Sequence, residues 1–175
     1  GGMADYFCRV SSVEELKRAV KFAKQNNLKI FILGGGSNVI VSDDGFKGLV
    51  IKIELKEISF EEKDDCVFVT IGAGENWDKL VEISVDKLLY GIENLSFIPG
   101  TVGAGVVGNI GAYGSEIKDV FENVEVFDLE TLKNITLNKD ECMFGYRESI
   151  FKKEKNYIIT KVSLKLFKNG KLNTS

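Results

Sequence analysis

Ile98-Pro99-Gly100-Thr101-Val102-Gly103-Ala104-Gly105-Val106-Val107-Gly108-Asn109-Ile110-Gly111-Ala112-Tyr113-Gly114 is the stretch on which the reading of this chain turns. It holds the only proline among 175 residues. Pro99-Gly100 suits positions i+1 and i+2 of a type II turn, since proline presets φ and glycine accepts positive φ. The small residues from Gly103 to Gly108 leave a smooth surface with uncovered N–H groups. That surface can lie against a flat, phosphate-bearing ligand. Tyr113 offers an aromatic face and a hydroxyl, and Asn109 offers an amide. A tightly packed crossover inside the core would use the same residues.

Leu33-Gly34-Gly35-Gly36-Ser37-Asn38 is a second glycine segment, directly after an apolar run at 29–33 that reads as a buried strand. Glycines let the backbone turn several N–H groups toward one point, a nest that binds phosphate oxygens without a cationic side chain. Ser37 and Asn38 add donors. The loop is not a GxGxxG opening a helix, and no Gly-Lys-Ser/Thr follows, so Rossmann and Walker sites are disfavoured. A plain strand connection is the alternative. Two glycine-dense segments in one chain weigh against packing alone, because each carries an ordering cost.

Outward from these loops the periodicity changes once. Residues 6–10 read as a strand, and Ser12 with Glu15 has capping-box spacing. Val13, Leu16, Val20 and Ala23 then recur at helical spacing. Residues 39–41 read as extended, Asp43-Asp44-Gly45 as a turn, and 49–53 as a strand. This first α/β unit is expected to span residues 1–56. Residues 57–175 read as a second unit with a largely antiparallel sheet. A hairpin at 58–62 and 66–73 turns across Lys63-Asp64-Asp65. A helix follows with Trp77, Leu80, Val81, Val85 and Leu88 on one face. Strands follow at 120–127, 132–137 and 157–167.

Composition narrows the chemistry. Hydrophobic residues make up 44% and charged residues 28%, a globular balance, with a net charge of -3 and no like-charge run. Neither a nucleic-acid nor a membrane partner is expected, and no apolar stretch is long enough to cross a bilayer. There is no histidine, which removes Ser-His-Asp and Cys-His catalysis, HExxH zinc sites and a flavin tethered through imidazole. No metal is expected. Cys8, Cys66 and Cys142 fit neither a disulfide framework nor a zinc site, and read as reduced thiols of a cytoplasmic protein.

Cys142-Met143-Phe144-Gly145-Tyr146-Arg147-Glu148-Ser149-Ile150-Phe151-Lys152 is dense in unlike functional groups. A guanidinium at Arg147 could grip a carboxylate with two parallel bonds. A surface ion pair of Arg147 with Glu148 or an aspartate would use the same residues, and Tyr146 could be a core aromatic.

These segments, in this order, resemble the UDP-N-acetylenolpyruvoylglucosamine reductases of peptidoglycan synthesis. Gly72-Ala73-Gly74-Glu75-Asn76-Trp77 and Gly91-Ile92-Glu93-Asn94-Leu95 add to the resemblance, which covers nearly the whole chain. It implies an α+β fold with two α/β subdomains of the vanillyl-alcohol-oxidase-like FAD-binding type. The third, substrate-covering domain would be absent and both ends truncated. It implies FAD as cofactor and NADPH as electron donor. Gly34, Gly35, Gly36, Ser37 and Asn38 would cradle the pyrophosphate. Pro99, Gly100, Thr101, Gly103, Ala104, Asn109, Gly111, Ala112 and Tyr113 would line the rest of the FAD site. Arg147 would be catalytic, with Tyr146 beside the substrate.

The resemblance further implies hydride delivery from the reduced flavin to the enolpyruvyl methylene carbon, with Arg147, partly dry, stabilising the enolate that forms. A serine and a glutamate of the family complete the proton transfer, and neither has a counterpart here. Ser149 is not that serine. The chain alone is therefore expected to be inactive, to bind FAD weakly and to be monomeric. Ala104 stands where relatives can have serine, and Gly108 where a larger residue is common. Other FAD-linked oxidoreductases of the same fold, and a flavin-binding module without catalysis, are the rival readings.

Overall fold

The computed structural model describes residues 1–170 and builds a three-stranded sheet, a five-stranded sheet and a two-stranded ribbon. The last five positions of the expected second unit, 171–175, lie outside the described residues. β1 (Ala4–Val10), α1 (Val13–Gln25), β2 (Ile30–Leu33) and β3 (Phe46–Ile53) come first in the chain. Their strands pair in parallel in the order β1-β3-β2. β3 lies in the middle and is the buried strand, through Leu49, Ile51 and Ile53. β2 is an edge strand whose Phe31 and Ile32 remain exposed, so the run at 29–33 is not the buried strand its apolarity suggests. Residues 39–41 join no ladder, and Ile40 is fully exposed, because β1 and β2 already occupy both edges of β3.

Ser12 caps α1, its hydroxyl accepting from the Glu15 N–H at 3.2 Å. The Glu15 carboxylate reaches one residue further back than a capping box requires. It accepts from the Ser11 N–H at 2.7 Å and the Ser11 hydroxyl at 2.8 Å. Leu16, Val20 and Ala23 are the buried face of the helix, as the spacing predicts.

β4 (Ile58–Lys63) and β5 (Cys66–Gly72) form the expected hairpin, with Asp64 at φ 48 in its turn. Next come α2 (Trp77–Asp86), α3 (Val102–Val107) and the ribbon of β6 (Gly111–Ala112) with β7 (Ser115–Glu116). β8 (Phe121–Asp128), β9 (Asn134–Asn138), α4 (Ile150–Lys153) and β10 (Tyr157–Phe167) follow. The large sheet runs β4-β5-β10-β8-β9 and is antiparallel throughout. The latest of these strands in sequence, β10, is central, and Val162, Leu164 and Leu166 are buried along it. β9 begins at Asn134 and not at 132, since Leu132 at φ 56 leaves the extended region.

α2 departs from its predicted face. Trp77, Leu80, Val81 and Ser84 are buried, while Val85 and Leu88 are exposed. The helix ends at Asp86, and Leu88 takes a left-handed φ of 56 that turns it outward. Ser84 tolerates burial because its hydroxyl donates to the Leu80 carbonyl at 2.8 Å.

Candidate functional site

β2 ends at Leu33 and delivers residues 34–38 to the edge of the small sheet, where they meet the second glycine segment. A Cβ on Gly34 would lie 2.7 Å from Thr101 Oγ1, and one on Gly35 would lie 3.3 Å from Gly100 Cα. Glycine is what allows this approach. The Ser37 hydroxyl donates to the Pro99 carbonyl at 3.2 Å, fastening one loop to the other. Among the described residues, nothing in the chain accepts from the N–H groups of Gly35, Gly36 and Asn38. Gly36 holds φ +79, and a Cβ there would meet only Leu33 Cδ1, at 3.9 Å. No Lys or Arg lies between Leu33 and Gly45. The loop thus offers backbone donors on an open side, the arrangement that suits a pyrophosphate.

The second segment stands on a floor supplied by the end of β5 and the start of α2. The Gly103 N–H donates to the Ala73 carbonyl and the Val102 N–H to the Glu75 carbonyl, both at 2.9 Å. The Trp77 N–H donates to the Gly100 carbonyl at 3.1 Å, and the buried indole N–H to the Leu95 carbonyl at 2.7 Å. A Cβ on Gly103 would lie 2.9 Å from Ala73 Cβ. The landmarks at 72–77 and 91–95 therefore have a structural purpose that the sequence does not reveal. Pro99-Gly100 makes a bend with Gly100 at φ +135, without the closing bond of a type II turn. The Gly100 carbonyl is turned instead toward α2.

The expected cofactor contacts divide into two groups. Gly34, Gly35, Gly36, Ser37, Asn38, Pro99, Gly100, Thr101, Ala104, Gly111, Ala112 and Tyr113 lie at or near the surface. Gly103 and Asn109 lie beneath it, and Asn109 is wholly buried. The Asn109 amide donates to the Gly145 carbonyl at 2.8 Å and to Glu116 Oε1 at 3.1 Å. Its oxygen accepts from the Lys118 N–H at 3.3 Å. Glu116 also pairs with Lys118 and holds that ammonium above its ordinary value.

Gly145 and Glu148 close a two-residue turn through bonds of 3.0 and 3.1 Å, with Tyr146 and Arg147 at its tip. Tyr146 is 90% exposed, so it is no core aromatic. Arg147 is exposed and not partly dry, and sits at φ 53, a conformation uncommon outside glycine. Among the described residues no carboxylate pairs with its guanidinium. Glu148 pairs with Lys153 at 3.3 Å instead. Lys152 Nζ donates to the Arg147 carbonyl. Ser149 is buried, its hydroxyl donating to the Val107 carbonyl at 2.8 Å, which keeps it from presenting a proton at this surface.

The family described as FAD binding domain matches residues 4–131. The chain belongs to this FAD-binding family. It is 50% identical over 177 residues to the UDP-N-acetylenolpyruvoylglucosamine reductase of Flavobacterium johnsoniae, covering 98% of this chain and 51% of that protein. The reductase of Thermobifida fusca is 41% identical over 167 residues, at 95% and 47% coverage. The chain thus spans about half the length of the curated relatives it matches. The crystal structure of the reductase from Thermus caldophilus superposes with a TM-score of 0.77 at 32% identity, covering 94% of this chain and 56% of that one. 6-Hydroxy-D-nicotine oxidase from Arthrobacter nicotinovorans superposes at 0.70 with 20% identity, over 95% and 37% of the two chains, which speaks to the fold alone. The α+β fold is that of the vanillyl-alcohol-oxidase-like flavin domains, as the motif order implies.

In this FAD-binding domain the glycine groove is an open surface. Among the described residues, two half-open clefts lie elsewhere, one of about 450 Å³ between Lys17 of α1 and Lys133, the other of about 160 Å³ beside Lys56 and Thr160. The sequence reading missed Glu116 and Phe97, and it placed Trp77 on a helix face and in a landmark run without its part in the floor. Phe97 is 90% exposed at φ 59 immediately before the Pro99 bend, and its only sequence signal is an aromatic beside a glycine-rich run.

Proposed function

We propose that this domain serves a UDP-N-acetylenolpyruvoylglucosamine reductase, in which NADPH and FAD reduce UDP-N-acetylglucosamine enolpyruvate to UDP-N-acetylmuramate for cytoplasmic peptidoglycan precursor synthesis. The observation that carries the reading is the fastening of the 34–38 loop to Pro99 and its close approach to Thr101, with the Arg147 turn tied to the same wall. When bound, FAD supplies a two-electron hydride carrier. The open N–H groups of Gly35, Gly36 and Asn38 would hold the pyrophosphate, helped by the Asn38 side chain. Thr101, Ala104, Ala112 and Tyr113 offer a wall for the flat ring system, while Gly103 and Asn109 support it from beneath.

Arg147 presents at a turn tip a guanidinium that no carboxylate among the described residues pairs with, and it would take the enolpyruvyl carboxylate with two parallel bonds. Arg147 would stabilise negative charge developing on that carboxylate during reduction of the enolpyruvyl group. Such a contact contributes a few kcal/mol, about 10²–10³ in rate, once water is excluded. Ser149, committed to the Val107 carbonyl, is not the proton donor. NADPH and the sugar nucleotide would use one pocket in turn, in a monomer.

In the whole protein, Arg147→Ala is expected to slow substrate-dependent NADPH oxidation about 10²–10³-fold while the bound-flavin spectrum stays. Near-normal turnover would remove Arg147 from the chemistry. Residues 1–175 alone are expected to yellow weakly with added FAD and to show no turnover.

A further inference from the structure

We infer that Asn109 is a positioning residue, tying the wall of the flavin site to the turn that carries Arg147. The inference rests on the reading of Arg147 as the catalytic residue. Asn109 is wholly buried and holds φ 41, a backbone state that asparagine tolerates better than most residues. Its side chain has no donor left for a ligand, because both amide N–H bonds are engaged, by Gly145 and Glu116. The orientation is fixed by chemistry. A flipped amide would set its oxygen against the Gly145 carbonyl and the Glu116 carboxylate, and its NH2 against the Lys118 N–H.

The carbonyl it grips is the one that closes the turn. Gly145 accepts from the Glu148 N–H at 3.1 Å and from Asn109 at 2.8 Å, filling both lone pairs. A second tie runs in the opposite sense, from the buried Ser149 hydroxyl to the Val107 carbonyl at 2.8 Å. Val107 and Asn109 flank Gly108, and Gly145 and Ser149 flank the tip. Both ends of the turn are thus pinned to either side of one small residue in the flavin wall. Apolar packing would hold the segments together without setting their register. Directed bonds to single carbonyls do set it. Arg147, two residues from the gripped carbonyl, is placed by the wall on which the flavin leans.

Asn109→Asp, assayed at a pH high enough to ionise the new carboxyl beside Glu116, tests this, since it keeps the acceptor for Lys118 and tolerates the backbone but then lacks the donor to Gly145. In the whole protein with FAD bound, it is expected to keep the flavin spectrum and KM. It should lower kcat for enolpyruvyl reduction about a hundredfold, the cost of misplacing a group by about 1 Å. Combined with Arg147→Ala, it should be no slower than Arg147→Ala alone. With no flavin added, amide exchange at Gly145 and Glu148 should quicken while β10 amides keep their protection. Additive losses, loss of flavin, or faster exchange throughout β10 would mark a merely structural role and overturn the inference. A normal Arg147→Ala enzyme would instead remove the underlying reading, while exchange at Gly145 still decides the tie. If Asn109→Asp yields no folded protein, Ser149→Ala carries the same test through the second tie, with about a tenfold loss expected in the same step. Unchanged turnover in Ser149→Ala would then overturn it.

Discussion

Gly34 shows how much rests on one missing methyl group. Its absent Cβ would fall 2.7 Å from Thr101 Oγ1, on a short β-branched side chain with few rotamers. Gly34→Ala is therefore expected to push the loop from the wall and weaken FAD binding about tenfold, within the usual 1–3 kcal/mol for overpacking. In a Thr101→Ala background the same change should cost little, and flavin titration of the four proteins reads the difference. Equal losses in both backgrounds would show that the close approach is irrelevant. The sequence makes Gly34 a candidate by its neighbours alone. It cannot reveal Thr101 as the partner, 67 positions away by number and adjacent only after folding. Asn109 carries the same lesson. Its residue type suggests a ligand contact, yet its amide is engaged by groups seven and 36 residues distant.

Among the elements, α1 is the best specified by local sequence. Ser12 accepts the Glu15 N–H, and the Glu15 carboxylate takes both Ser11 donors. Those bonds, the Ser11 N–H first, hold the Glu15 carboxyl below its usual range. A depressed carboxyl lends stability above its unfolded pKa and loses it as pH falls through the folded one, so the cap weakens in acid. Ser12→Ala should cost about 1 kcal/mol, read as a lower urea midpoint at unchanged slope. α2 and β2 were less legible. Val85 and Leu88 continue the helical spacing of α2, but Val85 faces solvent in its last turn and Leu88 lies beyond its end. β2 is apolar enough for a central strand, yet β3 takes the centre. Periodicity reports which side chains seek cover, and neighbours decide which of them obtain it.

For the molecule as a whole, Cys142 links fold stability to pH. It is wholly buried, and burial first, with Glu141 adding to it, pushes its thiol up to about 12 from an ordinary 9.0. The folded pKa is raised, so this stability is complete below pH 9 and lost as pH rises toward 12, because only the unfolded thiol ionises in that window. The loss is at most about 1.4 kcal/mol per pH unit. Urea midpoints of the wild type should fall more steeply between pH 8 and 10.5 than those of Cys142→Ala. Parallel curves would show that this thiol does not contribute.

By itself the sequence determined the two glycine segments, the arginine-bearing segment and the change from an α/β unit to antiparallel pairing. These depend on residue size, turn chemistry and periodicity, which act over a few positions. Only the tertiary structure decided that the glycine loops touch and that Trp77 and Ala73 form their floor. It also decided that Asn109 and Ser149 face inward while Arg147 faces out. Each of those outcomes depends on which buried donor meets which acceptor, and segments dozens of residues apart supply the two halves of every such pair.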